Sequence, residues 1–166
     1  MIRVATRDDA DALGEVMHDA VRHGASRYTE AQRIAWMPRP RRGAEWTARL
    51  DGQHVVLDEG ADDVRGFMSL EDGAYIDFAY IRPAHQGTGL FRRLFAAIRA
   101  EAERGGAGVL RTHASLTAEP AFAAMGFEVV RRETVALGGE RLERAEMAMA
   151  LGDQTARRGD SGPLPR

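Results

Sequence analysis

The sequence predicts one α/β domain, residues 1–151, built on a mixed sheet flanked by helices. Three observations carry this reading. Apolar residues recur at helical spacing in the first fifty positions, then fall into three strand-like runs between 53 and 83. The second half goes helix, strand, helix and a final strand pair, so it does not repeat the βαβ unit of a doubly wound parallel fold. The chain has 166 residues, 44% of them hydrophobic, which suits a single packed core.

The elements follow in order. "IRVA" (2–5) is a short β-branched strand. Thr6 caps a helix, with Asp9 as its reciprocal partner, and Leu13, Val16, Met17, Ala20 and Val21 give that helix an apolar face to about Arg22. Gly24 breaks it, Thr29 starts a short helix, and Pro38 and Pro40 stop that one. "AEWTARL" predicts a third helix. "QHVVLDE" (53–59), "VRGFMSLE" (64–71) and "AYIDFAYIRP" (74–83) are strands joined by the turn chemistry of "GADD" and "DG", hence an antiparallel meander. A helix from Leu90 to about Arg104 ends at Gly105. "VLRTHA" is the fifth strand, "TAEPAFAAM" a short helix closed by Gly126, and "FEVVRRETVAL" and "ERAEMAMAL" a last strand pair. Residues 152–166 are nearly without apolar content and predict a disordered tail.

Composition removes several classes of function. A net charge of −2 gives no field for nucleic acid or an acidic membrane. The absence of cysteine excludes disulfides, thiolate nucleophiles and cysteine-ligated zinc. The five histidines lack paired metal spacing, so no metal is expected. Acidic residues occupy the N-terminal stretch where a signal peptide needs an apolar run, and no apolar run approaches the roughly 18 residues of a membrane span. A cytoplasmic protein is the expectation.

The chemistry-bearing stretch is "RPAHQGTGLFRRLF" (82–95). Gly87 and Gly89 let the backbone turn with positive φ and approach a ligand closely. The helix that follows presents unpaired N–H groups and its positive end, and Arg92 and Arg93 add charge, so the turn suits a pyrophosphate; a plain strand–helix connection eased by glycine is the other reading. No Lys-Ser/Thr pair follows the glycines as a nucleoside triphosphatase loop requires. Arg92 stands where a dinucleotide fold has its third glycine, and the next strand ends without an acidic residue.

Tyr75 to Ala97 resembles the central motif of the GNAT superfamily of acetyl-CoA-dependent N-acetyltransferases. Ile81-Arg82-Pro83 ends a strand, and Gln86 and Gly89 match the [RQ]-x-x-G-x-[GA] turn, while Phe91 replaces its final small residue. "AFAAMGFEVV" (121–130) matches the Gly-Phe hallmark before a strand, and the element order agrees over residues 2–151. The resemblance implies a GNAT-like mixed, mainly antiparallel sheet with a splay between the fourth and fifth strands, and acetyl-CoA as cosubstrate. It implies that Phe78, Ala79, Tyr80 and Ile81 supply the edge for the pantetheine arm, and that Gln86, Gly87, Thr88, Gly89, Leu90, Phe91 and Arg92 hold the pyrophosphate. It places Ser115 where many relatives carry an asparagine that contacts the coenzyme arm. It places Phe122 where many carry the tyrosine that protonates the leaving thiolate. An N–H near Ala79 would polarise the thioester carbonyl.

A base or a water relay must take a proton from the attacking amine. Asp77, Glu71 and His113 on central strands are candidate bases, and Asp77 interrupts the apolar run "YIDFAYI". Asp77 and His113 read more readily as structural polar residues than as bases. On the acceptor side, Tyr28 and Trp36 form either an aromatic wall or core anchors, with Glu71 a further candidate there. "RPRR" (39–42) is a solvated loop or an attraction for an anionic substrate. The expected acceptor is a primary amine, more in keeping with a small molecule than a protein. The alternatives are an acyl-CoA-binding sensor without turnover, motivated by Phe122, a protein N-acetyltransferase, and a structural module whose glycine turn merely connects strand to helix. The exposed edge of the last strand pair would admit a homodimer.

Overall fold

A computed structural model describes residues 1–152; the expected tail from 153 onward lies outside the described residues. The elements are β1 (Ile2–Val4), α1 (Ala10–His23), α2 (Glu30–Trp36), α3 (Ala44–Asp51), β2 (Gln53–Glu59), β3 (Val64–Glu71), β4 (Tyr75–Ile81), α4 (Leu90–Arg104), β5 (Val109–Ser115), α5 (Glu119–Met125), β6 (Glu128–Leu137) and β7 (Glu140–Ala150). They form one seven-stranded sheet in the order β1-β2-β3-β4-β5-β7-β6. All neighbours are antiparallel except β4 and β5, which run parallel. The mixed, mainly antiparallel sheet is the one the resemblance implies.

Local chemistry explains the starts and stops. At Thr29 the hydroxyl accepts the Gln32 N–H at 3.1 Å, and the Gln32 side chain accepts the Thr29 N–H at 2.8 Å, so α2 begins on a complete capping box. At Thr6 the expected pair with Asp9 forms, but it caps a 3-10 turn rather than the α-helix itself. Asp9 accepts the Thr6 N–H at 2.7 Å, but Arg3 holds the same carboxylate with two bonds of 2.8 Å, and the first turn is a 3-10 turn with α1 beginning only at Ala10. Arg3 holds the Asp9 carboxyl below the usual carboxylate range, chiefly by that hydrogen bonding.

The sheet divides two apolar cores. α4 and α5 cover one face with Leu90, Leu94, Ile98 and Phe122 over Met68, Ile76 and Ala114. α1 and α3 cover the other with Leu13, Met17, Trp46 and Leu50 over Leu57, Phe67 and Phe78.

Candidate active site

The site begins with a bulge in β4. Met68 faces Ala79 and Leu70 faces Ile76, so Ser69 alone stands opposite both Asp77 and Phe78. The buried Ser69 hydroxyl accepts the Phe78 N–H at 3.0 Å, satisfying a group the irregular ladder would leave bare. The bulge also changes phase along β4. Before it, Ala74 and Ile76 turn their carbonyls to β5, accepting the Arg111 N–H at 3.0 Å and the Thr112 hydroxyl at 2.9 Å. After it, Phe78 and Arg82 donate toward β3, so strand alternation turns the N–H and C=O of Ala79 and Ile81 toward β5. But β5 has left: the parallel pairing consists of Tyr75 with Arg111 and Ile76 with Thr112. The expected splay is this fork. Its open edge carries the backbone of Ala79, while the Ile81 carbonyl takes the Gln86 side-chain amide at 3.1 Å.

The glycine turn closes one end of the fork. Pro83–His85 form a 3-10 turn, the Thr88 hydroxyl donates to the His85 carbonyl at 2.6 Å, and Gly87 and Gly89 adopt φ of 73° and 81°. A Cβ built on either glycine would meet nothing within 4 Å, so open space lies over the turn. The first intrahelical bond of α4 joins the Arg93 N–H to the Gly89 carbonyl, leaving the N–H groups of Leu90, Phe91 and Arg92 without helical partners. That arrangement fits the pyrophosphate of a coenzyme A.

A cavity of about 400 Å³ joins the turn to the fork. Ala79, Tyr80, Ile81, Gln86, Gly87, Gly89, Leu90, Phe91, Arg92 and Ser115 line it, so most of the expected donor-site residues share one space. Sequence reasoning missed Thr117, Ala121 and Ala124, which also line it. The alanine pair three residues apart on α5 is the signal that a small-residue face stands there.

Other candidates lie elsewhere. Phe122 is buried behind the lining, edge-on to Phe91 at 5.1 Å and to Phe127 at 5.2 Å. Phe91 thus fills the seam between α4 and α5. The Ser115 hydroxyl accepts the Ala118 N–H at 3.1 Å and keeps its own proton for donation. Asp77 is no free carboxylate: Arg49 grips it at 3.0 to 3.2 Å, and Gln53 donates to it at 2.6 Å. His113 binds the Tyr75 hydroxyl at 2.6 Å through Nδ1 and lies 3.4 Å from Glu133 through Nε2, outside the cavity. Burial pushes the Tyr75 hydroxyl up. Glu71 pairs with Gln53 and Tyr75 at the far end of β3, also outside the cavity.

The two aromatic candidates divide. Trp36 lines the cavity, 6.3 Å from Tyr80. Tyr28 sits behind it at 5.7 Å and is buried, where its hydroxyl donates to the Glu143 carbonyl at 2.5 Å and accepts the Leu116 N–H at 2.9 Å. It straps β7 to the end of β5. Tyr28→Phe strands both backbone groups and is expected to cost about 2 kcal/mol, lowering Tm by roughly 4–8 °C in calorimetry. A Tm within 1 °C of wild type would contradict the strap.

Among the described residues, no group of three or more His, Asp or Glu side chains is placed to hold a metal ion, and no helix is long and apolar enough to cross a membrane.

The acetyltransferase (GNAT) domain family model matches residues 25–149. The L-methionine sulfoximine/L-methionine sulfone acetyltransferase of Salmonella typhimurium is 30% identical over 122 residues, 66% of this chain and 67% of that protein. A GCN5-related N-acetyltransferase from Rhodopseudomonas palustris superposes with a TM-score of 0.83 at 28% identity, covering 91% of this chain and 95% of that one. The Salmonella typhimurium protein yncA, solved with its cofactor acetyl-CoA, superposes with a TM-score of 0.64 at 26% identity, covering 93% and 95%.

Proposed function

Because the chain belongs to the GNAT acetyltransferase family, we propose that it binds acetyl-CoA along the fork and acetylates the primary amine of a small molecule. The observation that carries this is the joining, in one cavity, of an anion-binding turn and an open strand edge. The bare N–H groups of Leu90 to Arg92 hold the pyrophosphate, and Arg92 adds its charge. The edge Phe78 to Ile81 receives the pantetheine arm as an added strand, chiefly through the backbone of Ala79, which faces the fork. Acetyl-CoA supplies an acetyl group activated as a thioester. The amine nitrogen bonds to the acetyl carbon as the carbon–sulfur bond breaks, with the amine proton released and the thiol formed. The Ala79 N–H, fixed by the bulge, stabilises charge on the carbonyl oxygen.

Proton removal falls to water at the cavity mouth. Asp77 is occupied by Arg49 and Gln53, and His113 by Tyr75 and Glu133. The small size of the acceptor is supported by the Salmonella relative, which is named for acting on L-methionine sulfoximine and L-methionine sulfone.

The test is free-thiol release from acetyl-CoA across a panel of amines, beside a thermal shift with acetyl-CoA alone. Acetyl-CoA at a hundred times Kd is expected to stabilise the protein by about 2.7 kcal/mol, and at least one amine is expected to release thiol. Binding without thiol release for any amine would favour the sensor reading that the buried Phe122 motivates. No thermal shift would remove both.

A further inference from the structure

A coenzyme seated on the turn and along the fork leaves one wall of the cavity for the acceptor. Val21, Ala25, Ser26, Trp36 and Tyr80 line it on the side of α1 and α2. Trp36 and Tyr80 give this wall its shape. Their ring centroids stand 6.3 Å apart, with the rings tilted by 55°. Tyr80 packs against Phe67 at 6.0 Å and Phe78 at 6.5 Å, and Trp36 packs edge-on to Tyr28 at 5.7 Å. Tyr28 is in turn fixed by its two backbone hydrogen bonds. Two rings held by further rings make a wall that suits a flat apolar body.

The charge of the lining points the same way. Among the described residues no aspartate, glutamate or lysine lines the cavity, and the charged arginine and the histidine that do, Arg92 and His85, belong to the glycine turn. An ammonium entering along Trp36 and Tyr80 would shed its water with no carboxylate to replace it, which is costly. A carboxylate would find no cation on that wall. Nor is there a base within the cavity, since Asp77 and His113 lie outside the lining and are already held.

An alkylamine, with a pKa near the lysine value of about 10.4, is almost wholly an ammonium at neutral pH. An arylamine is neutral there, because its nitrogen lone pair is delocalised into the ring. The difference persists after attack. The nitrogen then carries the positive charge, and an N-aryl ammonium is acidic enough to give its proton to water without a side-chain base. The ring that lowers the basicity is also the flat body that fits the wall.

We propose that the acceptor is an aromatic amine, with its ring against Trp36 and Tyr80 and its nitrogen toward Ala79. This rests on the acetyl-transfer reading above and narrows it. The nitrogen lone pair bonds to the acetyl carbon, and the carbon–sulfur bond breaks with its electron pair on sulfur. Water takes the nitrogen proton, and the thiolate takes a proton from water.

The experiment measures kcat/KM near pH 7 for aniline, benzylamine, trifluoroethylamine and L-methionine sulfone. Benzylamine has the ring but is an ammonium; trifluoroethylamine is largely neutral but has no ring. The wild type is expected to use aniline about tenfold better than any of the other three. Trp36→Ala is expected to raise KM for aniline about tenfold and leave trifluoroethylamine nearly unchanged, with acetyl-CoA affinity retained as evidence of an intact fold. Trp36→Leu carries the same test if the alanine variant does not fold. Trp36→Phe keeps a flat ring and is expected to keep the preference, as is Ile34→Ala at an exposed position of the same helix. Any of the other three amines used as well as aniline would overturn the aromatic acceptor while leaving acetyl transfer standing. An unchanged KM for aniline in the folded Trp36→Ala or Trp36→Leu protein would overturn it too. Acetyl-CoA binding with no thiol released by any amine would instead sink the transfer reading, and this site with it.

Discussion

Replacing Gly89 with glutamate is expected to leave a folded protein that has lost acetyl-CoA. Gly89 caps α4 at φ 81°, and no atom lies within 4 Å of a Cβ built on it, so the new side chain meets no steric wall. The left-handed backbone costs a residue with a Cβ about 1–2 kcal/mol, a modest loss of Tm. The carboxylate, by contrast, stands where the proposed donor site seats the coenzyme phosphates. Like charges brought together at a binding surface cost several kcal/mol, so Kd for acetyl-CoA should rise about 100-fold or more, read by calorimetric titration. Gly139→Glu is the matched control: the same φ of 81°, the same open surroundings, and a place in the β6–β7 turn. It should share the loss of Tm and keep the affinity. Equal affinities for the two variants would remove the turn from the donor site.

Ala79→Pro is expected to have the largest effect on the chemical step. The Ala79 N–H points into the fork, away from β3, so proline there breaks no ladder bond to β3. It removes the N–H proposed to polarise the thioester carbonyl. Losing such a donor typically lowers kcat by about 10² to 10³. Circular dichroism should show a wild-type spectrum, and thiol release at saturating amine should show the loss. A kcat within threefold of wild type would mean that another group polarises the carbonyl.

How far the site was legible in the sequence depended on how local its causes are. The span of α4 from Leu90 to Arg104 follows from apolar spacing between two glycines, and the start of α2 follows from Thr29 and Gln32 three residues apart. The glycine turn was legible for the same reason: its backbone needs are met by its own residues. The bulge was not, because it depends on Ser69 accepting the Phe78 N–H across two strands. Asp77 read as a candidate base because it interrupts an apolar run. Its partners Arg49 and Gln53 lie 28 and 24 residues away, and sequence periodicity carries no trace of that pairing. Tyr28 illustrates the same limit, since its two bonds reach Leu116 and Glu143. The cluster 39–42 reads as one basic loop, and only the folded chain separates Arg41, set against Gly14 and Trp46, from Arg42, paired with Asp11 and Glu15, and from the exposed Arg39.

One cavity joins the glycine turn to the fork of β4 and β5, and the proposal seats the donor there. A crystal structure with coenzyme A bound tests this most directly. The pyrophosphate is expected against the N–H groups of Leu90 to Arg92. The pantetheine arm is expected between Phe78–Ile81 and the departing end of β5, with the sulfur near Ala79. A coenzyme seated away from the Gly87–Gly89 turn, or an arm lying outside the fork, would contradict it.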